Sequence, residues 1–339
     1  MMAAMSNRTD LEPLSTLRGH RVLVTGGSGV IARELLDQLA DRRATVLSVD
    51  RLPLGRPAPH GVEHLVADLA GADLREIADF APRTILHLAA TFERSAESAE
   101  FWEHNWSDNV IATHRLAELA ARAGTVEAFV FASSYLTYRT SQYLSPEPAS
   151  DGVALIEDGP ILPRNLCGAA KLYGEAELAF ARDVMGGAFR SVSARIFRVY
   201  GRGSRDVVSR WIRAALRGDP IQVYHPENRF DYVYSGDVAE GLLRMASDPR
   251  ADGVINLATG RARPVSDVMA AIEAATGRKL DARLGPIDEP YEASRADISR
   301  LRSRLGWSPD TSLEDGVAIL VAHERAGASL ELEPADAAS

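Results

Sequence analysis

Residues 21–32 read RVLVTGGSGVIA, and no other stretch constrains the fold as tightly. A short β-branched run, Val22-Leu23-Val24, ends in a glycine-rich turn. An amphipathic segment follows at once, with Ile31, Leu35, Leu36 and Leu39 at helical spacing. The pattern is strand, tight turn, helix. Glycines at 26, 27 and 29 let the backbone approach a ligand without Cβ clashes. The unpaired N–H groups of the new helix face that ligand and suit an anion such as a pyrophosphate.

An ordinary strand–helix turn would also tolerate glycines, so the spacing decides. Gly26-x-x-Gly29-x-x-Ala32 is followed by a second strand, ATVLSVD, that ends in Asp50, 24 residues after Gly26. An acid there is placed to accept hydrogen bonds from an adenosine ribose, which together with the turn makes a dinucleotide site. A carboxylate beside the 2′-hydroxyl repels a 2′-phosphate, so Asp50 favours NAD over NADP. Arg51, next in the chain, either works against that preference or points into solvent.

The pattern then repeats. Short strands are predicted at 64–71, 84–90, 126–134 and 191–201, with helices at 72–80, 107–124 and 165–184. Alternation of this kind predicts an α/β fold, a Rossmann-type doubly wound parallel sheet covered on both faces. From about 202 the order becomes irregular, with helices at 206–217, 264–277, 297–305 and 312–324 and brief strands at 221–224 and 253–257. The expected division is a leader at 1–19, a dinucleotide-binding domain at 20–201, a mainly substrate-binding α/β lobe at 202–325 and a tail at 326–339. The ligand crevice is expected over the carboxyl ends of the strands.

Bulk properties exclude several classes. With 339 residues and 46% hydrophobic content, the chain can bury a full core. Its net charge of −9, with both signs interspersed, argues against a nucleic-acid footprint. No apolar run reaches membrane-spanning length, and the start lacks the hydrophobic segment of a signal peptide. A single cysteine, Cys167, excludes an internal disulfide and fits a reducing cytoplasm. No Cys/His cluster has metal-ligand spacing, so no metal is expected.

Over residues 20–325 the chain resembles the extended short-chain dehydrogenase/reductases, the NAD-dependent epimerase/dehydratase family. TGGSGVIA is similar to that family's cofactor loop, Asp68-Leu69 to its adenine contact and LHLAA to its fourth-strand motif. Asn109-Val110-Ile111-Ala112-Thr113 is similar to its NVxGT helix, and Ser133-Ser134 with Tyr138 to its SSxxxY segment. RFDYVYSGDVAEGL and RADISRLRSRLGWSPDTSLEDG resemble its later signatures. The resemblance implies NAD as cofactor. It gives Gly26, Ser28, Gly29, Val30, Ile31, Asp50, Arg51, Asp68, Leu69, Leu88, Ala89, Ala90, Asn109, Lys171 and Phe197 as the residues around it.

The family's chemistry uses a serine or threonine hydroxyl on the reacting oxygen, a tyrosine that exchanges the proton, and a lysine four residues later. Ser134 and Lys171 match, but Cys167 stands where the tyrosine belongs. A thiol is acidic enough near an ammonium. Its reach is the difficulty: a tyrosine oxygen lies roughly 6.5 Å from its Cα and a cysteine sulfur roughly 2.8 Å. A bound water fills the gap, another side chain supplies the acid, or the site only binds. Tyr135 is the best substitute, because dehydratases of the family carry an acid directly after the position of Ser134. Tyr138 is expected to pack in the strand, and Tyr173, two residues past Lys171, to face elsewhere.

The substrate side departs from the family as well. Arg198 stands at a place usually held by asparagine, Phe230 replaces a phosphate-gripping arginine beside Arg229, and Leu284-Gly285-Pro286-Ile287-Asp288 replaces the RPGD pattern. Arg198 and Arg229, with Ser134, are the expected substrate contacts, since a guanidinium holds a phosphate or carboxylate with two parallel bonds. The expected substrate is a sugar nucleotide, or a smaller sugar-like or acidic molecule, and the expected reaction is hydride transfer at a carbinol or keto carbon. The alternatives are a one-way ketoreductase or dehydrogenase and a non-catalytic NAD-binding protein. Family members commonly pair through two long helices, here 107–123 and 167–184, so a homodimer with Leu116 and Leu172 facing outward is expected.

Overall fold

The computed structural model describes residues 17–92, 99–184, 186, 189–286 and 290–332. The leader up to residue 16, the end of the tail and residues 287–289, including Asp288, lie outside the described residues.

Strand β1 (Arg21–Thr25) buries Val22, Leu23 and Val24 completely, as a strand covered on both faces must. Helix α1 (Val30–Asp41) follows the glycine turn and packs Ala32, Leu35, Leu36 and Leu39 inward. The chain continues through β2 (Thr45–Asp50), β3 (Val62–Val66), α2 (Arg75–Phe80) and β4 (Thr84–His87). Next come α3 (Ala99–Asn105), a π-helical turn (Trp106–Ile111), α4 (Ala112–Ala123) and β5 (Ala128–Ser134). Gly124 ends α4 at φ +64°, a left-handed conformation open to glycine. Helix α5 (Leu166–Val184) and β6 (Arg190–Ile196) complete the expected core; α6 (Val207–Arg217), α7 (Ser235–Ser247) and β7 (Gly253–Leu257) follow, and then α8 (Val265–Thr276), α9 (Ser299–Leu305) and α10 (Leu313–Leu332).

The seven strands form one sheet in the order β7-β6-β5-β4-β1-β2-β3, all neighbours parallel. This is the α/β, doubly wound architecture that the sequence predicts. Strand order reverses between β1 and β4, which opens a crevice above their carboxyl ends.

Two expectations need correction. The strand at 253–257 does not belong to the smaller lobe: as β7 it forms the sheet's outer edge beside β6. Helix α7 also packs on the large unit, with Gln38 Nε2 donating to Gly236 O at 3.0 Å and Arg42 paired to Glu240 at 2.7 Å. The chain therefore enters the smaller lobe after β6, returns through α7 and β7, and leaves again. A run as short as GVINL looks the same in either lobe, and only its partner strand tells them apart. The predicted strand 191–201 is also broken at Phe197. Beyond it, Arg198–Tyr200 pairs in parallel with Tyr232–Tyr234, away from the main sheet.

A second apolar cluster, including Trp211, Ile212, Val223, Val268, Ile272, Val317 and Leu320, forms the core of the smaller lobe. No helix among the described residues is long and apolar enough to cross a membrane.

Candidate active site

The glycine turn makes one wall of the crevice. Gly26 has φ +74°, and a Cβ there would lie 2.7 Å from the Ala89 nitrogen, so only glycine lets the turn meet the loop after β4. Gly29 is the N-cap of α1 and offers no side-chain acceptor, which leaves first-turn N–H groups open to an anion. Gly26, Gly29, Asp50, Arg51, Asp68, Leu69, Leu88, Ala89 and Ala90 line one open cleft. These are nine of the fifteen sequence-derived cofactor positions. The cleft fits a dinucleotide in shape and in donors.

Asp50 sits at the tip of β2, where Oδ2 accepts from the Ser28 N–H and Oδ1 from the Leu52 N–H, both at 3.0 Å. Its orientation is thus fixed by backbone. Arg51 takes neither expected course. Its guanidinium pairs with Asp108 of the π turn, Nη2 to Oδ2 at 2.9 Å. A carboxylate partner already holds that cation, which lessens its pull on a 2′-phosphate.

Six expected cofactor contacts stand outside the cleft lining: Lys171, Phe197, which stacks on Tyr135, and four more. Ser28 Oγ donates to Leu52 O at 2.8 Å. Val30 packs beside Gly201, and Ile31 against the main core. The Asn109 amide joins loop backbone instead, accepting from Thr91 N at 2.8 Å and donating to Thr91 O at 2.9 Å. It holds the Ala89–Thr91 loop in place from behind.

Behind that loop runs a buried chain of hydroxyls. Thr113 Oγ1 donates to Asn109 O and so must accept from His87 Nε2, at 2.9 Å. His87 Nδ1 then accepts from Thr25 Oγ1 at 2.6 Å. Complete burial, helped by the Lys171 charge, pushes the His87 pKa down to about 3, so its imidazole is neutral.

The positions expected to be catalytic meet where α5 begins. The Arg164 N–H donates to Leu136 O at 2.8 Å, and a Cβ on Gly168 would strike that same oxygen at 2.5 Å. The start of α5 is therefore drawn tightly onto the turn after Ser134. Ser134 Oγ accepts from the Leu136 N–H at 3.2 Å, which leaves its own hydrogen free to donate outward. Cys167, Lys171 and Glu175 are buried and follow one another at single-turn spacing along α5. Lys171 Nζ lies over the Phe131 ring at 4.7 Å; burial lowers its pKa, against the opposing pull of Cys167 and Glu175. Glu175 is itself taken up by Arg195 at 2.7 Å and by the Ser133 hydroxyl.

Tyr135 is in a poor position for the proton role. It stacks on Phe197 at 5.2 Å and its hydroxyl donates to Glu292 Oε1 at 3.4 Å. Burial raises its pKa far above the ordinary phenol value, so it stays protonated. Tyr138 packs as expected, its hydroxyl donating to Asn256 Oδ1 at 2.8 Å, and Tyr173 faces solvent.

On the substrate side, Arg198 lies flat over Phe230 at 4.0 Å, and its Nε is buried without a hydrogen-bond partner. Arg229 Nε instead donates to Ala149 O at 3.0 Å, which ties it to a loop. Two residues here escaped sequence reasoning. Buried Glu292 accepts from Arg164 Nη1 at 2.5 Å and lies 3.6 Å from Arg198 Nη2. Neither residue belongs to a recognisable motif, so no sequence signal points to the pair.

A parallel sheet that reverses at a glycine-built cleft, with an acid at the second strand tip and a serine–lysine pair beyond, defines a dinucleotide-dependent enzyme of the short-chain dehydrogenase/reductase type. Comparison with known proteins narrows the class. The profile of the NAD dependent epimerase/dehydratase family matches residues 22–258, and the chain belongs to that family. It is 30% identical to the UDP-glucose 4-epimerase of Mycolicibacterium smegmatis over 319 residues, 88% of this chain and 96% of that protein. It is 26% identical to the dTDP-4-dehydro-6-deoxyglucose reductase of Escherichia coli, over 90% of this chain and 97% of that one. Among solved structures it is similar to MoeE5 in complex with UDP-glucose and NAD, with a TM-score of 0.78 and 30% identity, covering 91% of this chain and 99% of the other. MoeE5 has also been solved with UDP-glucuronic acid and NAD.

Proposed function

We propose that this chain is an NAD-dependent sugar-nucleotide epimerase or dehydratase. The observation that supports this best is the joining of Ser134 to the start of α5, with buried Lys171 one turn further on. The cleft lining would hold the adenosine and diphosphate, with Asp50 on the ribose. Bound NAD supplies hydride acceptance and return at a carbinol carbon. Ser134 donates to the substrate oxygen. Lys171 anchors the nicotinamide ribose and sets the local field. With Tyr135 turned to Glu292, the proton passes through a water lodged beside Cys167 and Lys171. Arg198, its Nε free on the Phe230 platform, reads a phosphate or carboxylate of the substrate. The similarity to a reductase supports a second reading, one-way reduction of a keto sugar nucleotide.

Incubation with UDP-glucose and UDP-glucuronic acid, followed by proton NMR, tests this. The expected result is a stereoisomer or elimination product with no net consumption of NADH. Net consumption selects the reductase. Tight NAD binding with no turnover of any sugar nucleotide overturns both and leaves a binding protein. Lys171→Ala should cut turnover by about 10²- to 10⁴-fold, the usual size of a lost proton-handling group.

The dimer and the cytoplasmic location belong to the same reading. Leu116, expected to face outward, is completely buried against the sheet. Exposed apolar side chains on α3, the π turn and α5 include Trp102, Trp106, Tyr173 and Phe180, and they make the better pairing face for a second copy. The lone thiol Cys167 is buried and fits a reducing compartment.

A further inference from the structure

A second, open cavity lies beyond β7 and shares no lining residue with the dinucleotide cleft. Its floor is backbone. The buried Asp231 carboxylate fixes it, accepting from the Thr259 N–H at 2.9 Å, the Gly260 N–H at 2.8 Å and the Ala296 N–H at 3.1 Å. Gly260 has φ +76°, and a Cβ there would press on Ile298 at 3.0 Å, so this floor requires glycine.

The walls are strongly basic. Arg261, Arg295 and Arg302 line the cavity, with Asp297 as the one carboxylate among the lining residues. Among the described residues the Arg261 side chain has no hydrogen-bond or carboxylate partner. Arg302 reaches only Ser308 Oγ, at 3.5 Å. Arg295 donates to Gly152 O at 3.1 Å and lies 3.8 Å from Asp151. A hydrogen bond from Ser299 holds the Asp297 carboxyl below its usual range, so it stays ionised. Arg295 is shared with Asp151, and the buried Asp231 carboxylate lies beneath the floor, so the positive charge of the cavity rests on Arg261 and Arg302, which have no carboxylate partner among the described residues. Guanidinium groups lining a fixed backbone floor match the oxygens and the negative charge of a phosphate group.

We propose that this cavity is a binding site for a phosphate group, separate from the cofactor and substrate sites. It takes inorganic phosphate or a small phosphorylated metabolite.

Calorimetric titration of the NAD-saturated protein with inorganic phosphate, and in parallel with ribose 5-phosphate, tests this. Saturable binding is expected, weakening as salt rises. The double variant Arg261→Ala/Arg302→Ala should weaken it about tenfold or more while NAD affinity stays unchanged. Both side chains are exposed and hold little of the fold, and Arg302→Glu alone repeats the test by charge reversal. Tighter binding of ribose 5-phosphate supports a phosphorylated metabolite as occupant, and equal or weaker binding supports free phosphate. Absence of saturable binding, or binding that neither variant weakens, overturns the proposal.

Discussion

The dinucleotide cleft and the substrate crevice lie at the same end of one sheet, yet they are built differently. The cleft is largely a backbone construction: a left-handed glycine, an uncapped helix start, and an acid whose carboxylate is fixed by two N–H groups. The proposed substrate crevice is made of side chains from four distant segments, Tyr135, Arg164, Arg198 and Glu292, which contact one another. A backbone site depends on a few residue types at fixed spacing. A side-chain site depends on what the fold brings together, and it can change one residue at a time.

That contrast can be broken by substitution. Asp50→Ala should weaken NAD binding by about 10- to 100-fold, the worth of hydrogen bonds to a charged group, with calorimetry as the measure. A preference for NADP in the parent would remove the assigned role of Asp50. Arg198→Ala should raise KM for the sugar nucleotide by about tenfold and leave NAD affinity unchanged. An equal loss in both would mean that the two sites are not separable. The smallest effect belongs to Cys167→Ala: its thiol is too short to reach the reacting oxygen, so kcat should stay within about threefold of the parent. Abolished turnover would make the thiol chemical and place the second site under the same rules as the first.

Sequence legibility follows the same line. Residues 21–50 announce strand, turn, helix and acid because each needs a particular residue type, and the structure sets them as expected. The place of β7 is not legible, because a five-residue apolar run carries no mark of its partner. The burial of Leu116 is not legible either, because helical periodicity gives a face without saying what covers it. Arg51 found Asp108 across 57 residues of chain, and Arg164 found Glu292 across 128. Such long-range pairings leave no local pattern.

One consequence of the locked His87 concerns acidity. Its two ring nitrogens are committed to Thr25 and Thr113, and its imidazole takes up a proton only near pH 3. Through the physiological range, then, no second cation ever forms behind Lys171. His87 therefore adds no titration of its own behind that ammonium, and a bell in a pH–rate profile comes from other groups, with Lys171, whose pKa burial lowers, among them.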